Sequence, residues 1–167
     1  IPVVESDHLK VPFVSGIFRP RLVMPSLARS WSSERIEAIL HHEFAHIKRK
    51  DVLMQFFAQI ACCIYWINPL AWIMERRLFI ERERACDDFA ISENIKASEY
   101  AGYLMEVMEE LGTTRSHVWV MSAMAEGTDF KDRILSVLDP IAARTTPRLI
   151  HTLSVIALSL VLLLTLS

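Results

Sequence analysis

The sequence predicts a mainly helical α+β domain with a small sheet at its N-terminus. Three observations carry that prediction. Short β-rich runs punctuated by proline fill residues 1–25, apolar positions recur at helical spacing through most later segments, and an uncharged stretch at 52–74 is interrupted by Asn68-Pro69. At 167 residues the chain holds one domain with a real core and little more. Hydrophobic residues make up 52%, above the soluble average, and two stretches carry most of the excess. A net charge of −2 gives no electrostatic footprint for nucleic acid, so no such partner is expected. Cys62, Cys63 and Cys86 are odd in number and two are adjacent, which suits a reducing or membrane-buried setting better than a disulfide framework. Because the chain starts at Ile1 rather than Met and stops inside an apolar run, we expect a piece of a longer protein.

In chain order, Ile1–Val4, Val11–Val14 and Arg21–Met24 read as two or three short strands, and Pro12, Pro20 and Pro25 confine them to edges and turns. Ser32 or Ser33 can cap a helix with Glu34 and Glu37 near its positive end, and Lys48-Arg49-Lys50 suits its last turn. Val52–Met74 is a run of 23 residues without a charge, long enough to span a bilayer as one straight helix. A helix tends to break before proline, however, so Asn68-Pro69 favours two packed antiparallel helices, partly immersed in lipid. The returning helix is expected over Pro69–Ile91 and the next over Ser98–Leu111, ended by Gly112. Thr113–Thr128 reads as loop with a strand around Val118–Met121, and Phe130–Leu138 as an amphipathic helix stopped by Asp139-Pro140. Leu149–Leu166 has no formal charge and follows Arg144 and Arg148; it reads as a transmembrane helix with the preceding domain on the cytoplasmic side.

The chemistry centres on His42-Glu43-Phe44-Ala45-His46. On a helix this spacing puts His42 and His46 one turn apart on one face, where two imidazoles can hold one Zn²⁺, with the Glu43 carboxylate beside them to handle a proton. By itself the pattern also fits a helix that merely carries surface histidines. A catalytic zinc takes a third protein ligand, and Glu75, Glu81, Glu83, Asp87, Asp88 and His117 are the downstream candidates. Glu83 and Asp87 lie four apart, so one could bind metal while the other orients a histidine. Spacing does not choose among them. His41 sits about 140° around the helix from His46, which makes it exposed or a supporting residue. His117 and His151 read as structural, Cys62 and Cys63 as packing, and Cys86 as a small buried residue that could compete for metal.

Four stretches narrow the choice: Pro12–Pro25, His42–Asp51, Trp66–Leu70 and Glu81–Asp87. In these, and in their order, the chain resembles the zinc-peptidase domain of the β-lactam sensor-transducer (antirepressor) family of bacterial integral membrane metallopeptidases, of gluzincin type. The resemblance implies that His42, His46 and Glu83 bind Zn²⁺, that Glu43 is the catalytic acid/base, and that Asp87 bonds to a ligand histidine. It divides the chain into a metallopeptidase domain over 1–145, with a helical hairpin around 52–91, and a truncated transmembrane helix over 146–167. It further implies a multi-pass protein of the cell membrane that responds to a signal by cleaving itself or a cytoplasmic repressor. The implied partners are that protein substrate and the lipid bilayer, with a homodimer left open. A membrane processing or quality-control peptidase and a non-catalytic scaffold with a structural metal are the alternatives; an intact Glu43 argues against the scaffold.

Overall fold

The structure, a computed structural model, describes residues 1–92, 95–112 and 127–139. Three short strands form the N-terminal sheet: β1 (Val3–Ser6), β2 (Phe13–Ser15) and β3 (Arg21–Pro25). Their order is β1-β3-β2, with β1 parallel and β2 antiparallel to the central β3. Pro2, Pro12 and Pro20 precede the strands and Pro25 is the last residue of β3, so none sits mid-strand, where a ring nitrogen could not donate to the ladder. Leu22 of β3 is fully buried and pairs with Val14 on one side and Val3 on the other. The turn from β2 to β3 depends on Gly16. Its φ is +94°, and a Cβ there would lie 2.6 Å from the carbonyl oxygen of Arg19.

A 3₁₀ turn (Ser26–Ser30) leads into α1 (Ser33–Arg49). Ser32 is the cap, its hydroxyl accepting from the Arg35 amide at 3.2 Å. Arg35 is itself buried, stacked 4.1 Å over Trp31 and paired at 3.0 Å with both Glu106 and Glu110. Those ion pairs tie the start of α1 to α4 (Ala97–Gly112). At the other end Lys50 takes the left-handed conformation, φ 58° and ψ 41°, closing α1 and opening α2 (Asp51–Ile64). One residue therefore turns the chain and leaves Asp51 facing back towards α1.

The uncharged run is a hairpin, as the sequence led us to expect, not a straight span. α2 ends at Ile64, Tyr65–Asn68 turn, and α3 (Pro69–Ser92) returns. Asn68 Oδ1 accepts from the Leu70 amide at 3.0 Å, and Pro69 occupies the first helical position, where a missing N–H costs nothing. α3 packs chiefly on α1. Small residues line that contact: Ala38 and Ala45 from α1, Cys86 and Ala90 from α3, all essentially inaccessible. With so little side chain between them the two backbones approach closely, and the longer side chains beside the contact can meet. The core of Ala38, Ala90, Ile91, Tyr100, Ala101 and Val137 sits at the C-terminal end of α3, where α4 and α5 (Gly127–Leu138) cover it.

Boundaries depart little from expectation: α4 includes Gly112, and α5 starts at Gly127, three residues before Phe130. Among the described residues no helix is long and apolar enough to cross a membrane. The strand expected near 118–121 and the transmembrane helix expected over 146–167 lie outside the described residues. Gly16→Ala should cost about 1–3 kcal/mol, because it forces a Cβ into positive φ and against a carbonyl. For a domain of this size that is a fall in Tm of roughly 2–4 °C per kcal/mol in a thermal melt. An unchanged melt would contradict the turn geometry.

Candidate metal centre

His42 and His46 extend from α1 towards α3, and their Nε2 atoms lie 3.2 Å apart. Glu83 on α3 reaches both, with Oε2 3.5 Å from His42 Nε2 and Oε1 3.6 Å from His46 Nε2. The far nitrogen of each ring faces a carboxylate. His42 Nδ1 lies 3.1 Å from Asp87 Oδ1, and His46 Nδ1 lies 2.8 Å from Asp51 Oδ2. An ionised carboxylate only accepts, so each Nδ1 carries the proton and each Nε2 turns a lone pair inward. Two lone pairs at that distance repel unless a proton or a cation lies between them.

Without metal, a proton fills that role. Burial disfavours the charged form of His42, yet hydrogen bonds to Asp87 and Glu83 outweigh it and lift its pKa to about 9. Burial likewise opposes ionisation of Glu83, but Arg133 and then His42 hold its pKa down to about 2. The same contest, won chiefly by Arg133, keeps Asp87 well below the usual carboxylate range. Arg133 comes from α5. It donates to Asp87 through Nε at 2.6 Å and Nη2 at 2.7 Å, and its Nη1 sits 3.1 Å from Glu83 Oε2. Tyr100 on α4 donates its hydroxyl to Asp87 Oδ1 at 2.6 Å, 3.0 Å from His42 Nδ1. Burial and the Asp87 charge keep that phenol protonated.

Glu43 is buried beside this cluster, and burial pushes its pKa up against the pull of both histidines. It lines a cleft of about 540 Å³ together with His42, His46, Glu83 and Arg133. The other walls are largely apolar, with Phe13, Val14 and Ile39 from the sheet and α1, Phe56 and Phe79 from the hairpin, and Leu104 from α4.

Among the described residues two groupings bring three metal-capable atoms within 4.8 Å of one another: His42, His46 and Glu83; and His46, Asp51 and Cys86. Only in the first do both histidines offer the nitrogen that no aspartate holds, with a Glu83 oxygen facing each. In the second, His46 Nδ1 already donates to Asp51, and burial pushes the Cys86 thiol so far up that it stays protonated, 3.4 Å from that nitrogen. Two imidazole nitrogens and one carboxylate fit a divalent metal with a position left open.

The structure thus brings together His42, Glu43, His46, Glu83 and Asp87, all five read from the sequence. It leaves out the other candidates. Glu75 accepts from Gln55 at 2.6 Å between α2 and α3, Glu81 pairs with Arg84 at 3.5 Å on the surface, and Asp88 belongs to neither grouping. His117 and His151 lie outside the described residues. His41 sits 3.8 Å from Glu37 on its own helix. Sequence reasoning missed Asp51, Tyr100 and Arg133. Asp51 had a usable signal, an acid opening a helix just past the basic turn that follows His46. Tyr100 resembled any apolar helical position, and Arg133 any charge on an amphipathic helix.

Buried His42 and half-buried His46 on one helix, the adjoining Glu43, and a carboxylate returned by a second helix make a grouping that can hold a metal. The chain matches the BlaR1 peptidase M56 family over residues 1–137, and it belongs to that family. It is 25% identical over 158 residues to the Regulatory protein BlaR1 of Bacillus licheniformis, which covers 95% of this chain and 26% of that protein. It is 30% identical over 90 residues to the Regulatory protein BlaR1 of Staphylococcus aureus, covering 54% and 15% respectively. With the Methicillin resistance mecR1 protein of Staphylococcus aureus the identity is 26% over 88 residues, covering 52% and 15%. The chain therefore spans about a quarter or less of these relatives' length. The family resemblance drawn from the sequence holds, and at the level of the family the chain is a peptidase.

Two outcomes follow from the electrostatics. Arg133→Ala strands two buried carboxylates and should destabilise the metal-free chain by about 3–5 kcal/mol in denaturant unfolding; a cost under about 1 kcal/mol would show the pairing to be weak. Metal must also displace the His42 proton. Affinity for a divalent metal should therefore rise with pH up to about 9, by as much as about tenfold per unit, in chelator competition. A flat profile between pH 6 and 8 would contradict the assignment.

Proposed function

We propose that this domain is a zinc endopeptidase, the catalytic part of a membrane-anchored, signal-activated regulatory protease that cleaves itself or a repressor protein. The observation that carries the reading is the convergence of His42 Nε2, His46 Nε2 and Glu83 within one small volume, beside Glu43 and open to a cleft. His42, His46 and Glu83 hold the metal in this reading, and Zn²⁺ suits two imidazoles and a carboxylate. Asp87 and Asp51 fix the two rings from behind.

When bound, zinc supplies Lewis-acid polarisation of the scissile carbonyl and acidifies a water. The chain's own residues do the rest. Glu43, with its pKa raised by burial, is poised to accept a proton from the attacking water and return it to the leaving amine. Asp87 and Asp51 hold the Nδ1 protons, so neither ring can rotate its Nε2 out of the site. The apolar cleft walls exclude bulk water and seat the substrate beside Glu43.

The regulatory role draws on the relatives, two of them called regulatory proteins and one a methicillin resistance protein. Membrane anchoring draws on the uncharged run 149–166, and a cytoplasmic site on Arg144 and Arg148 before it. Glu43→Ala should retain zinc by metal analysis while losing at least about 10²-fold in peptide-bond cleavage. Full activity in a zinc-loaded Glu43→Ala chain would end the peptidase reading. Glu83→Ala should lose zinc and Glu81→Ala should keep it; the reverse pattern would overturn the ligand assignment.

A further inference from the structure

The α2–α3 hairpin projects away from the His42–His46–Glu83 cluster, and none of the other described residues covers its tip. Trp66, Ile67, Leu70, Trp72, Ile73 and Met74 are each more than half exposed. Isolated exposed apolar residues are ordinary, but a contiguous patch of this size marks an interaction surface. We propose that this tip inserts into one leaflet of a lipid bilayer without crossing it. The inference stands apart from the peptidase reading, since a chain unable to bind metal would still carry the same tip.

Three observations favour lipid over a protein partner. First, the exposed residues surround the tip. At about 3.6 residues per turn, Leu70, Trp72, Ile73 and Met74 point to different sides of α3, with Ala71 turned inward under Cys62 Sγ, which approaches its carbonyl at 3.5 Å. A folded partner covers one face, whereas a fluid solvent covers every face. Second, charge is excluded from the tip and resumes abruptly. No charged residue occurs from Val52 to Met74, and then Glu75, Arg76 and Arg77 follow in succession. Glu75 is drawn inward by its bond to Gln55, whose side chain in turn accepts from Arg82 at 2.7 Å. Arg76 and Arg77 are exposed, which suits anionic headgroups. Third, the depth is right for a leaflet surface. Asn68 to Glu75 is about 10 Å of helix, the burial depth of an interfacial element and far short of the roughly 30 Å hydrocarbon core. Tryptophans placed there are at the level they prefer.

Glu83 lies about 12 Å further along α3 than Glu75. Insertion to the arginine collar therefore keeps the metal centre out of the lipid and turns it towards chain segments close to the membrane surface.

Cys63 allows a direct test. It is exposed near the end of α2, while Cys62 and Cys86 are buried, so a nitroxide reagent will label it selectively. The full chain is reconstituted into phosphatidylcholine–phosphatidylglycerol (3:1) vesicles, with a control in which Cys63→Ser is combined with Ser92→Cys at the far end of α3. The terminal apolar run can hold either chain on the vesicle, so the readout must be local to the label. The proposal expects the Cys63 label to meet oxygen several-fold more often than a water-soluble nickel chelate, and the control label to show the reverse. Adding Ile67→Glu and Leu70→Glu should restore nickel access at Cys63 with metal content unchanged. Nickel access equal to the control would overturn the proposal. A label shielded from both probes would overturn it too, by showing that a protein surface, such as a second copy, covers the tip.

Discussion

Two imidazole nitrogens held 3.2 Å apart with their lone pairs converging is an unfavourable arrangement, and much of this fold serves to impose it. Helical spacing alone brings the rings to one face, but a free helix would let them rotate apart. Here each ring is clamped from behind, His42 by Asp87 and His46 by Asp51. Glu83 closes the third side. The clamps work because Ala38, Ala45, Cys86 and Ala90 let α1 and α3 come close enough for side chains of ordinary length to meet. A larger residue at any of these would separate the helices and undo the geometry before it touched the chemistry.

The charge distribution follows from the same packing. Buried carboxylates are costly unless paired, and three of them, Glu83, Asp87 and Asp51, surround the two histidines. Arg133 from α5 and Tyr100 from α4 offset that cost at Asp87, and Arg133 also reaches Glu83. Elements distant in the chain are thereby coupled to His42 and Glu83. The raised pKa of His42 expresses the same balance: the site is built around a positive charge, and a proton takes the place a cation would occupy. Unlike the core, the hairpin tip carries its apolar residues outward, which separates the end of α3 that holds Glu83 and Asp87 from an end with an exposed apolar surface.

How much of this was legible in the sequence depended on the range of the contacts. His42, Glu43 and His46 share one turn of one helix, so the pattern showed itself directly. The hairpin was readable because the residue before a proline is biased away from helix by local sterics alone, and Asn68 does cap the return. Glu83 was one acid among several until the family resemblance selected it, since Glu81 and Glu83 differ only in which side of α3 they occupy. Arg133 and Tyr100 were not legible, because their roles arise only once α4 and α5 lie against α3. Asp51 was missed for a different reason: its position depends on a left-handed Lys50, a conformation that lysine seldom adopts.

In the proposed site His42, His46 and Glu83 hold one zinc ion while Cys86, lying behind His46, takes no part. X-ray absorption spectroscopy on the zinc-loaded chain tests this most directly. The expected result is a first shell of nitrogen and oxygen only, at about 2.0–2.2 Å, with the outer-shell signature of two imidazoles. A sulfur scatterer at about 2.3 Å, or a single imidazole, would contradict it.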